Sequence, residues 1–209
     1  TLEVPNDTAR VGLSVSAERG SRGAALRVVS GRLRNVIVAV QGIPGVGDGD
    51  VKTGRISVRK TFRGERVVYR ASEGIGVTLH EPGRAGELIG AGIAAGATGV
   101  SGPTFFIGDT EAAYAKALAA AFDKAKLKAA ALATQAGGTL GPALSIQEGG
   151  DAEVVQDEFS KTSPSAGCAE ATAPSGPRRR ASTRCAAAPP TKPGNSTVTA
   201  TVGVVFSLL

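Results

Sequence analysis

The sequence predicts an α+β fold, in the order β-α-β-β-α-β-α-β-β, with helices packed on a mainly antiparallel or mixed sheet. Three observations carry that prediction. Val11, Leu13, Val15 and Ala17 alternate with Arg10, Gly12, Ser14 and Ser16, the period of a strand with one buried face. Between Asp109 and Ala136 the residues are mostly Ala, Leu, Lys and Glu. There Tyr114, Leu118, Phe122, Ala125, Ala129, Leu132 and Ala136 recur at three- and four-residue steps, one apolar stripe on a long helix. Val198, Ala200, Val202, Val204, Phe206 and Leu208 alternate again, as a last strand does.

Each element has its own signals. Thr1 to Asp7 reads as a lead-in with a turn at Pro5-Asn6-Asp7. From Ser21 to Gln41 the period becomes helical, with Leu26, Val29, Leu33, Val36, Ile37 and Val40 on one face, and Gly42, Pro44, Gly45, Gly47 and Gly49 end it in a loop. Val51 to Lys60 alternates weakly, and Phe62-Arg63-Gly64-Glu65 reads as a hairpin connection. Val67, Tyr69, Ala71, Ile75, Val77 and Leu79 share a face of a long strand, interrupted by Glu73, where a bulge is expected. Pro82 and Gly83 open a shorter helix with Leu88, Ala91, Gly92 and Ala95. After a strand at Thr104 to Ile107, Asp109 caps the long helix, Glu111 suits its positive end, and Gly137-Gly138 stop it. Leu140 to Glu148 is the next strand.

A chain of 209 residues with 42% hydrophobic content can bury one core, so a single domain over 1–209 is expected. Gly149 to Asn195 is rich in Pro, Ser, Ala, Thr and Gly and reads as a long loop excursion inside it. No apolar run reaches the ~18 residues that would span a membrane. The net charge of +6 is concentrated: between Lys161 and Asn195, Lys161, Arg178, Arg179, Arg180, Arg184 and Lys192 stand against Glu170 alone, and the remainder is almost neutral. The high pI therefore describes one segment and does not make the whole fold a nucleic-acid binder.

The element order, with several local strings, resembles the SIMPL domain family. The strings are Val4-Pro5-Asn6-Asp7-Thr8-Ala9, Asp50-Val51-Lys52-Thr53, Tyr69-Arg70-Ala71-Ser72, Ala94-Ala95-Gly96-Ala97, Val100-Ser101-Gly102, Asp109 to Tyr114 and Leu144-Ser145-Ile146-Gln147-Glu148. The chain departs from the family pattern in lacking a Gly-rich first strand and in its long basic excursion. The resemblance implies an exported bacterial envelope protein, periplasmic, secreted or surface-held and often a lipoprotein, associated with oligomeric assembly. No catalytic residues are established for that family. A chain without Met or an apolar leader at Thr1 fits one from which an export signal has been trimmed.

The residues that could carry chemistry are few. His80 is the only histidine, and no Gly-x-Ser-x-Gly elbow or nucleophilic Cys signature accompanies it. One His and two Cys do not make an ordinary zinc site. Gly90-Ala91-Gly92-Ile93-Ala94-Ala95 has the letters of a dinucleotide fingerprint, with Glu111 downstream, but its glycines fall in a helical pattern, where close helix packing accounts for them. Asp48-Gly49-Asp50 falls far short of a calcium loop. Cys168 and Cys185 would be two unpaired thiols in a cytosolic protein; in the exported protein that the resemblance implies, they are expected to form a disulfide.

These readings lead to a non-enzymatic envelope protein acting by self-assembly or partner binding, without catalytic residues, metal or cofactor. Leu127, off the apolar stripe among Lys124 and Lys128, is the candidate assembly contact of a homo-oligomer. The first alternative is a module that holds an anionic surface or an envelope protein through Arg178, Arg179, Arg180 and Arg184. The second is an undetected enzyme or small-ligand carrier. Nucleic acid is not an expected partner, because no aromatic residue is interleaved with those arginines for base stacking.

Overall fold

The computed structural model describes residues 1–156 and 190–209. The fold is α+β, with three helices and two sheets where the sequence suggested one. The described residues form two compact units: an inserted unit, Asp7–Phe105 with residues 190–193, and a flanking unit, Thr1–Asn6 with residues 106–156 and Gly194–Leu209.

The inserted unit is built on β2 (Thr8–Arg19), following a short first strand, β1 (Leu2–Pro5), that belongs to the flanking unit. Ala9, Val11, Leu13, Val15 and Ala17 of β2 are all buried, as the alternation requires. Helix α1 (Arg22–Gln41) starts at Ser21, whose hydroxyl accepts from the Ala24 N–H at 3.3 Å, and buries Ala25, Val29, Leu33, Val36 and Val40. β3 (Val51–Thr53) and β4 (Ser57–Arg63) both pair antiparallel with β5 (Arg66–Leu79). β5 pairs with β2 in unbroken register from Ala9↔Leu79 to Arg19↔Tyr69, so the bulge expected at Glu73 is absent. Glu73 is only half-buried, and a long side chain in that position reaches water without bending the strand.

After a 3-10 turn at Pro82–Arg84, α2 (Ala85–Ala94) buries Leu88 and Ile89. A Cβ at Gly92 would stand 2.6 Å from Leu13 Cδ1, so glycine is what lets α2 approach the sheet. β6 (Gly99–Phe106) completes the order β3-β5-β2-β6, with β4 beside β5.

The flanking unit has helix α3 (Thr110–Gln135), β7 (Leu140–Gln156) and β8 (Asn195–Leu208), in a sheet of order β1-β8-β7. The expected lead-in is therefore a strand, pairing from Leu2↔Val198 to Pro5↔Asn195; four residues are too few to show a period. β7 also runs past Glu148, with Val154↔Val198 and Val155↔Thr197 in register after a shift between Gly149 and Glu153. The first residues assigned to the excursion are thus strand, because β8 needs a partner along its whole length.

Asp109 caps α3 as expected, its carboxylate accepting from the Ala112 N–H at 2.8 Å. The stripe is corrected at its far end. The buried line begins at Ala113 and Ala117 and finishes at Ala133, leaving Leu132 71% exposed and Ala136 exposed. A straight helix on a twisted sheet presents a different side to it at each end, which a single wheel projection misses. Phe122 is half-buried, with its ring centroid 6.3 Å from that of Phe206. The unit's core is otherwise small side chains with Ile107 and Val198, plus one buried polar pair in which Ser196 Oγ donates to Asn6 Oδ1 at 2.6 Å. No helix among the described residues is long and apolar enough to cross a membrane.

Candidate functional site

His80 lies just past β5, mostly exposed, with Nε2 3.2 Å from Asp50 Oδ1. The other Asp50 oxygen accepts from the Gly47 N–H at 2.7 Å. That backbone bond is the main reason the Asp50 carboxyl titrates below its ordinary 3.8; His80 adds a hydrogen bond and charge, while partial desolvation works the other way. The pair ties the Gly-rich loop after α1 to the end of β5, as does the bond from His80 N–H to Gly45 O at 2.9 Å. Among the described residues, no hydroxyl or thiol bonds to the imidazole. The Asp48-Gly49-Asp50 string is a 3-10 turn whose second carboxylate is already engaged.

The face of the inserted unit's sheet turned away from its helices is lined by small residues. Ser14 and Gly74 oppose each other there, as do Gly12, Gly76 and Lys52 across three strands. Together with Thr53, Gly99 and Ser101 they line an open depression of about 510 Å³. Its lining has one cation, Lys52, and no carboxylate, imidazole or thiol, so it offers no acid–base pair. The fingerprint-like glycines lie within α2 and at its end, away from any strand-to-helix turn, and Glu111 is in the other unit.

Charge divides between the units in a way that the sequence totals conceal. Asp7–Phe105 holds fourteen Lys and Arg against eight Asp and Glu, whereas the described residues of the flanking unit hold four Lys against seven Asp and Glu. Among the described residues, the densest positive region is the β4–β5 hairpin. From Arg55 to Arg70 there are six cations and one carboxylate, Glu65. Cross-strand register sets Arg59 opposite Arg70 and Arg63 opposite Arg66, like charges side by side. Glu18 relieves part of this, 2.8 Å from Arg63 and 3.9 Å from Arg70. On the other side of the ribbon Phe62 pairs with Val67, 64% and 39% exposed, with Lys60 Nζ 5.4 Å from the Phe62 ring centroid. In sequence this stretch is marked only as a hairpin connection; the spacing of cations around an aromatic is the signal that sets it apart.

Leu127 is 72% exposed, as expected. It has company: Leu132 shares α3 with it, and Leu144 and Ile146 of β7, Val155, Val205, Leu208 and Leu209 are also exposed. Of the twelve large apolar residues exposed among the described ones, these eight lie in the flanking unit, so its surface is the more apolar. Cys168, Cys185, Arg178, Arg179, Arg180 and Arg184 lie outside the described residues.

The described residues thus form two α+β units, one carrying a basic hairpin and the other most of the exposed large apolar side chains. The profile of the SIMPL family, described as a protein of unknown function (DUF541), matches residues 1–206, and the chain belongs to that family. No curated protein matches the chain.

Proposed function

We propose that this is a non-enzymatic, exported cell-envelope protein that acts by self-assembly through its flanking unit. The observation that carries the reading is the concentration of exposed apolar side chains there, on α3 at Leu127 and Leu132 and on the edge strand β7 at Leu144 and Ile146. The occupant is a second copy, because the two elements complement each other in charge. α3 carries Lys116, Lys124, Lys126 and Lys128 against Glu111 and Asp123, while β7 carries Glu148, whose Oε1 accepts from the Tyr114 hydroxyl at 2.6 Å, and no cation. A two-fold contact that lays α3 of one copy along β7 of the other satisfies both twice. The open shape of the depression on the other unit favours a binding surface over a small-ligand carrier. Export rests on what the family's bacterial members do.

Sedimentation equilibrium of the whole chain tests this. The wild type should be a dimer or larger, and Leu127→Asp should move it toward monomer with an unchanged far-UV spectrum. A wild type monomeric at tens of micromolar removes assembly from the account. A variant that stays assembled but melts much earlier places Leu127 in a core and overturns the face assignment.

A further inference from the structure

We infer that the β4–β5 hairpin of the inserted unit docks on an anionic phospholipid surface, with Phe62 and Val67 entering the boundary between headgroups and acyl chains. β2 stops pairing at Arg19↔Tyr69, so Arg66, Val67 and Val68 pair only with β4. The tip is therefore a two-stranded ribbon projecting roughly 10 Å beyond its neighbour, at about 3.3 Å per residue. A projecting ribbon can meet a flat layer that the rest of the sheet does not touch.

The side-chain arrangement matches the layers of a bilayer surface. Phe62 and Val67 form an exposed apolar cross-strand pair on one side of the ribbon, and a large aromatic exposed at a loop tip gains free energy by leaving water. Lys60, with its ammonium above the Phe62 ring, can keep its charge among phosphates while its stem follows the aromatic inward. Arg63 and Arg66 pair next to the turn at Gly64-Glu65 on the side of the ribbon opposite Phe62, Arg63 also holding Glu18 at 2.8 Å, and Arg59 and Arg70 stand two rows behind them on that same side. Cations this close to an anionic layer act within a Debye length of about 8 Å at physiological salt.

Other occupants fit less well. A second copy of the hairpin would bring the same cations together. An acidic polymer would satisfy the arginines and leave Phe62 and Val67 wet. Single-stranded nucleic acid needs several stacking platforms, and the tip has one aromatic. The proposal goes beyond self-assembly and does not depend on it.

The chain has no Trp, so Phe62→Trp makes a single reporter at the tip. With vesicles of phosphatidylcholine and phosphatidylglycerol, its emission should shift to the blue and be quenched by brominated acyl chains. With phosphatidylcholine alone it should not respond. Val38→Trp, on the exposed side of α1, should stay unshifted with both. In co-sedimentation of the otherwise unchanged chain, Phe62→Ser and the double variant Arg63→Glu, Arg66→Glu should each weaken binding about tenfold or more. Raising the salt should weaken the wild type too. All three positions are exposed, so the far-UV spectrum serves as the folding control.

No binding to the anionic vesicles overturns the proposal. So does binding that the hairpin variants leave intact, which would assign it to Arg178 to Arg184, or binding to an acidic polysaccharide or to DNA with the vesicles ignored. Leu127→Asp should keep the lipid response whether or not it changes the solution mass, so the failure of this proposal is distinguishable from failure of the assembly reading.

Discussion

The two units cover one face of a sheet to different extents. In the inserted unit two helices lie on the sheet, and the buried side chains include Leu13, Val29, Leu33, Leu79 and Leu88. In the flanking unit one Ala-rich helix lies on three strands, with Ile107 and Val198 the only large apolar residues buried among the described ones. Apolar burial stabilises roughly in proportion to area, so the first unit should hold itself together and the second should gain more from covering its surface. On the proposed reading, stability and association fall to different parts of one chain.

Each unit contains one of the two tyrosines, Tyr69 in the inserted unit and Tyr114 in the flanking one, so fluorotyrosine NMR in a denaturant titration reads them separately. The largest loss should come from Leu88→Ala, which truncates a fully buried side chain and should cost about 3–5 kcal/mol at the Tyr69 signal. If the Tyr114 signal shifts equally, the units unfold as one and the contrast is broken. Phe122→Ala should cost less, about 1–3 kcal/mol at the Tyr114 signal, because the ring is half-buried and loses one tilted aromatic neighbour. A loss as large as that of Leu88 would show that the flanking unit has a full core after all.

The smallest effect should come from Asp50→Asn. Asp50 has a folded-state pKa below its ordinary 3.8, so its contribution to stability is present above that value and is lost as the pH falls through the folded pKa. The variant should be slightly less stable than wild type near neutrality, and acid denaturation curves should converge as the pH drops. His80→Gln should reproduce only part of this, since the Gly47 N–H is the larger cause. A pH-independent difference between Asp50→Asn and wild type would remove the carboxylate's role in holding the loop.

What the sequence disclosed follows from how much chain each signal occupies. β2 alternates over twelve residues and α1 repeats over twenty, so most of their buried faces could be named from sequence; in α1, Ala25 is buried although no large side chain marks it, while Leu26 and Ile37 are only half-buried. Gly92 was legible as a packing glycine because it interrupts an apolar helical pattern. β1 was not legible, since Leu2-Glu3-Val4-Pro5 becomes a strand only by pairing with residues almost two hundred positions away. The division into units was hidden for the same reason: the flanking unit draws its strands from both sides of the inserted one. Its acidic residues also offset the basic residues of the inserted unit in any whole-chain sum, so the charged hairpin was averaged out of sight.

The buried bond between Asn6 and Ser196 joins residues 190 positions apart. On a ribosome adding about 5–20 residues per second, the helices and strands of the inserted unit are complete by Phe106 roughly 5–20 s before β8 emerges. During that interval β1 holds Leu2 and Val4 without their partner strand, and α3 is made before the sheet it must cover exists. Synthesis therefore passes through a stage with one finished unit and one that waits. A chain interrupted before Asn195 would keep the basic ribbon and its Phe62 tip but lack β8, the strand that joins β1 to β7.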